Sequence, residues 1–253
     1  MSAIITNMTS SSNSHTFGVN ENKSPDVGLQ APSSRGSDSA DAQSISLESS
    51  RLYHIYHTPI RYDYRVSNAD KKHLYFVYNS HLTPDKADIT VHTGEDKHAP
   101  IAGVCKFIHL SRHCKVGLGD PQRAGSMVWE DLQCQNIPMT KYRFEMSIPS
   151  AHGGYERRSF LWKRTQSVGA DGDSPSFFSL RNFKLVDELN GQNVAVFTSN
   201  SFKSPRKNGK LQVAGDYGPD FDMMALITLL ALYERIRRRT GGKGGGGGGG
   251  DGG

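Results

Sequence analysis

FDMMALITLLALYERIRRR, residues 221–239, is the stretch whose reading decides the fold. Between Met223 and Tyr233 the only polar side chain is Thr228. At 3.6 residues per turn those apolar side chains point in every direction, and a helix apolar all round has to be enclosed by protein or by lipid. A bilayer span needs about 20 predominantly apolar residues, and Glu234 interrupts this run well short of that. The expected enclosure is therefore protein: a helix threaded through a globular domain whose other elements wall it in. Gly218 and Pro219 mark a turn before it, Asp220 is the expected N-cap, and Asp222 adds negative charge at the positive end of the helix dipole. Arg235, Arg237, Arg238 and Arg239 complement the negative end and Gly241 supplies a stop. For these arginines the structural reading is a dipole cap that leads the helix out into water. The functional one is a second basic cluster for membrane or nucleic acid.

Outward from the helix, the chain divides by composition. Residues 1–50 mix Ser, Asn, Gly, Pro and Asp with no hydrophobic period, too little apolar surface to offset the entropy of ordering, so this segment is expected to be disordered. Residues 241–253, GGKGGGGGGGDGG, read as a flexible tail. One folded domain, 51–240, is left. The N-terminus, MSAIITNMTSSSNS, has neither a basic region nor an apolar core of a secretory signal. The expected compartment is cytoplasmic, with peripheral attachment to a membrane and the nucleus both open, and no transmembrane span.

Within the domain, eleven short runs rich in β-branched and aromatic residues precede the helix. LYHIYHTPIRYDYRV, from Leu52, carries Pro59 inside and reads as an edge strand or a strand broken at the proline. Then come LYFVYNS, DITVHT, IAGVCKFIHL, CKVGL, SMVWEDLQC, KYRFEMSIP, YERRSFLWKRT, FSLRNFKLVDEL, NVAVFTSNS and KLQVAG, separated by turn signals such as His-Gly-Gly, Leu-Asn-Gly-Gln and Lys-Asn-Gly-Lys. Such spacing predicts an antiparallel sandwich or barrel. In residues 179–189, Phe183, Leu185 and Leu189 share one parity while Asn182, Lys184 and Glu188 share the other, which predicts a strand with one wet face. Alternation around a closed sheet supplies the apolar lining the helix needs.

This order of many antiparallel strands and then one wholly apolar C-terminal helix resembles the tubby C-terminal-like superfamily, which includes tubby proteins, LURP-one-related proteins and phospholipid scramblases. FKLVDELNGQNVAVF (183–197), the Lys203–Lys210 loop, KLQVAGDYGPDFD (210–222) and MMALITLLALYERI (223–236) carry the resemblance, which is greatest to the LURP-one-related group. It implies a mainly β fold, a closed antiparallel barrel of about twelve strands around a central hydrophobic helix. It also implies phosphoinositide binding through basic residues on the barrel, as in tubby proteins. There is no cysteine-rich palmitoylation stretch and no acidic calcium loop beside the helix, so scrambling is not carried over. No specific phosphoinositide-binding residue of the tubby proteins aligns.

The formal charge is +5, and the acidic excess of 1–50 leaves 52–240 at about +7, which favours polyanionic partners. Lys203, Arg206, Lys207 and Lys210 fall in one loop, SFKSPRKNGK, where Pro205 and Asn208-Gly209 are read as turns. Arg157, Arg158, Lys163 and Arg164 flank Trp162, and Arg181 and Lys184 follow on the next strand. Phosphate recognition needs several cations in a small area, because each exposed contact is weak and screened by salt. The same charges also serve to keep a barrel soluble and its edges unpaired. The expectation is a non-enzymatic module that binds anionic phospholipid headgroups at a membrane surface. The alternative is a protein- or nucleic-acid-interaction adaptor using the same basic surface.

Cys105, His109, His113 and Cys114 have soft donors at short spacing, but on a strand only Cys105, Phe107 and His109 share a face and no paired C-x-x-C occurs. They read as core cysteines and rim histidines. Three cysteines suggest no disulfide framework. No G-x-S-x-G, H-E-x-x-H, Walker A or helix-opening G-x-G-x-x-G is present, so neither an enzyme nor a cofactor is expected.

Overall fold

The structure, a computed structural model, describes residues 49–58, 63–80, 83, 86–123, 125, 127–175, 179–200 and 207–241. The segments expected to be disordered, 1–50 and 241–253, lie outside that set apart from residues 49, 50 and 241. Lys203 and Arg206 lie outside it as well.

Twelve strands precede one helix: β1 Arg51–His57, β2 Tyr64–Ser67, β3 His73–Asn79, β4 Ile89–His92, β5 Ile101–Phe107, β6 Cys114–Leu118, β7 Val128–Cys134, β8 Lys141–Pro149, β9 Tyr155–Arg164, β10 Phe183–Asp187, β11 Asn193–Ser199, β12 Lys207–Val213 and α1 Pro219–Gly241. The run around Pro59 supplies two antiparallel strands, which turns the eleven runs of the sequence into twelve. Each strand pairs with its neighbours in the chain, and β1 pairs with β12, so the sheet closes into a barrel without an edge.

Closure explains the helix. Residues 224–234 of α1 are all buried, enclosed by inward positions of the wall such as Tyr142, Phe144, Met146 and Ile148 on β8. The one polar residue of the apolar run has a partner: the indole Nε1 of Trp162 donates to Thr228 Oγ1 at 2.9 Å, and that hydroxyl donates to the Met224 carbonyl at 2.6 Å. Both buried polar groups are thereby satisfied without a break in the apolar packing. At its start α1 is tied to β1, where Arg51 reaches both carboxylate oxygens of Asp222 at 2.6 Å and Tyr53 donates to Oδ2. Asp220 lies inside the first turn and not at the cap. The helix opens on Pro219, whose missing N–H is no loss there.

Two other expectations are corrected. Lys207–Lys210 is not a turn but the first half of β12, with Gly209 opposite Ile55 on one side and Ser199 on the other and a bulge at Asn208. Gly209 is needed for close approach: a Cβ there would collide with the Thr198 carbonyl and sit 2.6 Å from the Phe197 ring. Gly209→Ala is expected to lower stability by about 1–3 kcal/mol through overpacking, measurable as a drop in thermal midpoint. Nor does β10 have a wet face. All five of its residues are buried, including Lys184, because the segment after β9 folds back and packs Val168 and Ala170 with Val196 and Ala214 on the outer wall. Leu189 lies in the hairpin turn beyond the strand and is 75% exposed.

Along the barrel axis the two ends differ. The helix enters where β1 begins and leaves at the opposite end, where the β5–β6, β7–β8 and β9–β10 connections lie. Its last turns are clamped there. Glu234, fully buried, accepts hydrogen bonds from Tyr64 and from Arg237 and Arg238, and Arg238 also pairs with Asp88 at 2.7 Å. The helix-terminal arginines therefore do more than lead the chain into water; Arg238, through Asp88 and the Ser80 carbonyl, and Arg235, through the Ser111 and His113 carbonyls, bolt the helix to the rim.

Candidate anion-binding end of the barrel

At the end where the helix leaves, three connections present large apolar side chains to solvent. Leu110 is 96% exposed, Ile137 81% and Leu180 55%. Leu110 and Met139 also have φ of 55° and 56°, a left-handed conformation that residues of this kind rarely adopt. The β5–β6 loop thus holds a leucine outward in a conformation with an intrinsic cost.

Arginines stand among these tips. Among the described residues none of Arg112, Arg164, Arg181, Arg235 and Arg239 has a carboxylate within ion-pair distance. Arg164 Nε donates to the Leu180 carbonyl at 3.0 Å. Arg181 donates to the Tyr233 hydroxyl at 3.2 Å and lies over its ring. Arg235 donates to the carbonyls of Ser111 and His113 and to Cys114 Sγ. All these acceptors are neutral and leave the charges uncompensated. Burial and the nearby charge of Arg239 lower the pKa of Arg164, the sign expected of facing cations with no anion between them. At the entry end carboxylates outnumber cations, with Asp70, Glu95, Asp96, Asp120, Glu188, Asp216 and Asp220 against Lys71, Lys72, Lys97 and Arg123 in its connections and first helical turn.

The structure separates the ten basic residues nominated from sequence. Arg157 pairs with Glu130, and Arg158 pairs with Glu156 and with buried Asp187; both sit on the wall nearer the entry end. Lys210 is held by Asp171 at 2.8 Å and Asp173 at 3.1 Å, which raise its pKa against the effect of burial. Lys207 opens β12 and is half-buried, while Lys203 and Arg206 fall outside the described residues. Arg164 and Arg181 stand at the exit end. Lys163 and Lys184 are directly opposite one another across β9 and β10, and Lys163 is opposite Lys141 across β8. Lys184 is buried under the segment after β9, so of this row Lys141 and Lys163 are the two that reach solvent, beside Arg164.

Sequence reasoning missed Lys141, Arg112, Leu110 and Ile137. Only the β8–β9 register brings Lys141 into the row. Leu110 had read as the end of a strand, but β5 stops at Phe107. Cys105 and Cys114 are buried on the inner face of β5 and β6, whereas His109 and His113 lie in the exposed loop between them, with His113 Nδ1 accepting the Cys134 N–H at 3.0 Å. The Cys105 thiol and Arg235 hold Cys114 below the ordinary thiol range against the effect of burial. Among the described residues no helix is long and apolar enough to cross a membrane.

No family model and no curated protein matches this chain. Among solved structures it is similar to the crystal structure of an Arabidopsis thaliana protein, AT5G01750, with a TM-score of 0.41 and 9% identity, over 73% of this chain and 92% of that one.

Proposed function

We propose that this protein is a non-enzymatic module that docks on anionic membranes through the barrel end where the helix leaves. One observation carries the reading: the two most exposed large apolar side chains among the described residues, Leu110 and Ile137, share an end with arginines that have no carboxylate partner among those residues, opposite an end where carboxylates outnumber cations. An apolar tip seated at the lipid boundary gains from leaving water, and each nearby cation contributes about 1 kcal/mol toward an acidic leaflet. The acidic end turns the molecule, because a molecule with opposite charge at its two ends is oriented by a charged surface before contact. The resemblance of the last third of the chain to the tubby-like superfamily agrees in ligand class, though the surface proposed is the end of the barrel.

Flotation of the full chain with vesicles tests this. Binding is expected to vesicles containing phosphatidylserine or phosphoinositide and to weaken as salt rises. Leu110→Asp/Ile137→Asp is expected to reduce it about tenfold or more, since each buried tip is worth up to about 1.5–3 kcal/mol. Lys97→Gln, at the entry end, is expected to leave it unchanged. Unaltered binding by the double variant overturns the reading, and so does tighter binding to nucleic acid than to vesicles at matched ionic strength. Reversing Lys207 and Lys210 together with Lys203 and Arg206 separates the β11–β12 connection from the tips.

A further inference from the structure

We infer that the exit end holds a binding pocket for a single-chain anionic lipid, with the oxyanion between Arg164 and Arg239 and the chain against the end of α1. This deepens the membrane-docking reading and rests on it for the source of the lipid. The concavity is small, with a cavity volume of about 50 Å³, and opens to solvent, so it takes the head and first carbons of such a lipid and leaves the rest of the chain along its lip. It opens between the last turns of the helix, the β7–β8 loop and the segment before β10.

Its two halves differ chemically. Met139, Leu180, Phe183, Leu232 and Ile236 make an apolar floor and lip, and the guanidinium groups of Arg164, Arg235 and Arg239 stand around it. Three cations around one concavity with no carboxylate among the described residues is an unfavourable arrangement in the empty protein. An oxyanion placed there relieves it. Arg164 uses Nε on the Leu180 carbonyl, and no acceptor among the described residues takes its Nη groups. A planar guanidinium with free donors suits the paired oxygens of a carboxylate or phosphate. A free inorganic anion leaves the apolar floor unused, and a neutral or cationic lipid leaves the arginines uncompensated. An alkyl chain with an anionic head satisfies both halves. Arg235 serves as the fixed wall, since three neutral acceptors on the β5–β6 connection already hold its guanidinium.

Isothermal titration of the full chain with decanoate, below its micelle concentration, tests the pocket apart from the membrane. Decanoate is expected to bind saturably while acetate and decyltrimethylammonium do not. Arg164→Gln and Arg239→Gln are each expected to weaken it about tenfold, the size of one charge-assisted hydrogen bond, with thermal midpoints near wild type. Leu110→Asp/Ile137→Asp, outside the cavity, is expected to bind decanoate normally even when it no longer floats with vesicles; that result supports the pocket whatever happens to the docking surface. Decanoate binding that survives both arginine substitutions overturns the inference. Equal binding of acetate or of the cationic amphiphile does so too. Absence of decanoate binding in a wild-type chain that still floats with acidic vesicles overturns the pocket and leaves the docking surface standing.

Discussion

Leu229→Asp is expected to abolish the folded barrel. Leu229 is fully buried in the middle of α1, and the substitution removes an apolar contribution of about 1.5–3 kcal/mol. It also places a carboxylate where no cation stands, among neighbours such as Ala225, Leu226, Leu230 and Leu232, all buried. An unpaired charge in such surroundings costs several kcal/mol even after it takes up a proton. Together these approach the whole net stability of an ordinary domain, about 5–15 kcal/mol. Loss of the β-sheet signal in circular dichroism and of soluble expression is the readout. Leu229→Ala is expected to cost about 2–5 kcal/mol and to leave a folded, less stable protein. A Leu229→Asp chain that stays folded and merely leaves the membrane fraction would show that the helix is an anchor and not the axis of the barrel.

Glu234→Ala is expected to have the second largest effect. Glu234 ends the buried run of α1, near the negative end of the helix dipole, where a carboxylate is disfavoured without compensation. Compensation comes from Arg237 Nε at 2.7 Å, Arg238 Nε at 3.0 Å and the Tyr64 hydroxyl at 2.8 Å. Removing the carboxylate leaves two partly buried guanidinium groups and a buried phenol short of an acceptor, at a cost of about 3–5 kcal/mol. Glu234→Gln keeps the shape and an acceptor for Tyr64 and is expected to lose less.

The same network sets a pH dependence. Burial pushes the Glu234 pKa up, but the two arginines and Tyr64 outweigh it and hold the group below the ordinary carboxylate value. Because the folded-state pKa is depressed, the stabilisation is present above the unfolded value of about 4.3 and is lost as pH falls through the folded one. Thermal midpoints of wild type and Glu234→Gln are therefore expected to differ most above about pH 5 and to converge as pH falls below about 4. A constant difference across that range would assign the effect to shape and not to charge.

How far the fold was legible follows from particular residues. The ten apolar residues around Thr228, from Met223 to Tyr233, leave no polar face, and only an enclosing wall accommodates that. The hairpin turns at His152-Gly153-Gly154 and Asn190-Gly191 showed in the sequence as glycine signals, and their glycines have positive φ. Asn208-Gly209 gave the same signal and misled, because its glycine serves close packing under Phe197 and not a turn. Lys184 and Asn182 looked solvent-facing by parity. They are buried because the connection between β9 and β10 folds back over the outer wall, which parity within one strand does not reveal.

The candidate site was less legible. The nominated cations were chosen by proximity along the chain, and proximity says nothing about which carboxylates lie across the sheet. Arg157, Arg158 and Lys210 found partners on β7, β10 and the segment after β9. Among the described residues Arg164 and Arg181 found none that are charged.

The sequence alone determined that a helix apolar on every side needs a closed β wall, because hydrophobic period is a local property that each segment carries within itself. It also determined the excess of positive charge. Only the tertiary structure decided where that charge is neutralised and where it is left uncompensated. The reason is physical: ion pairing depends on distances of a few ångströms between side chains from different strands, and those distances exist only once the barrel has closed and set its register.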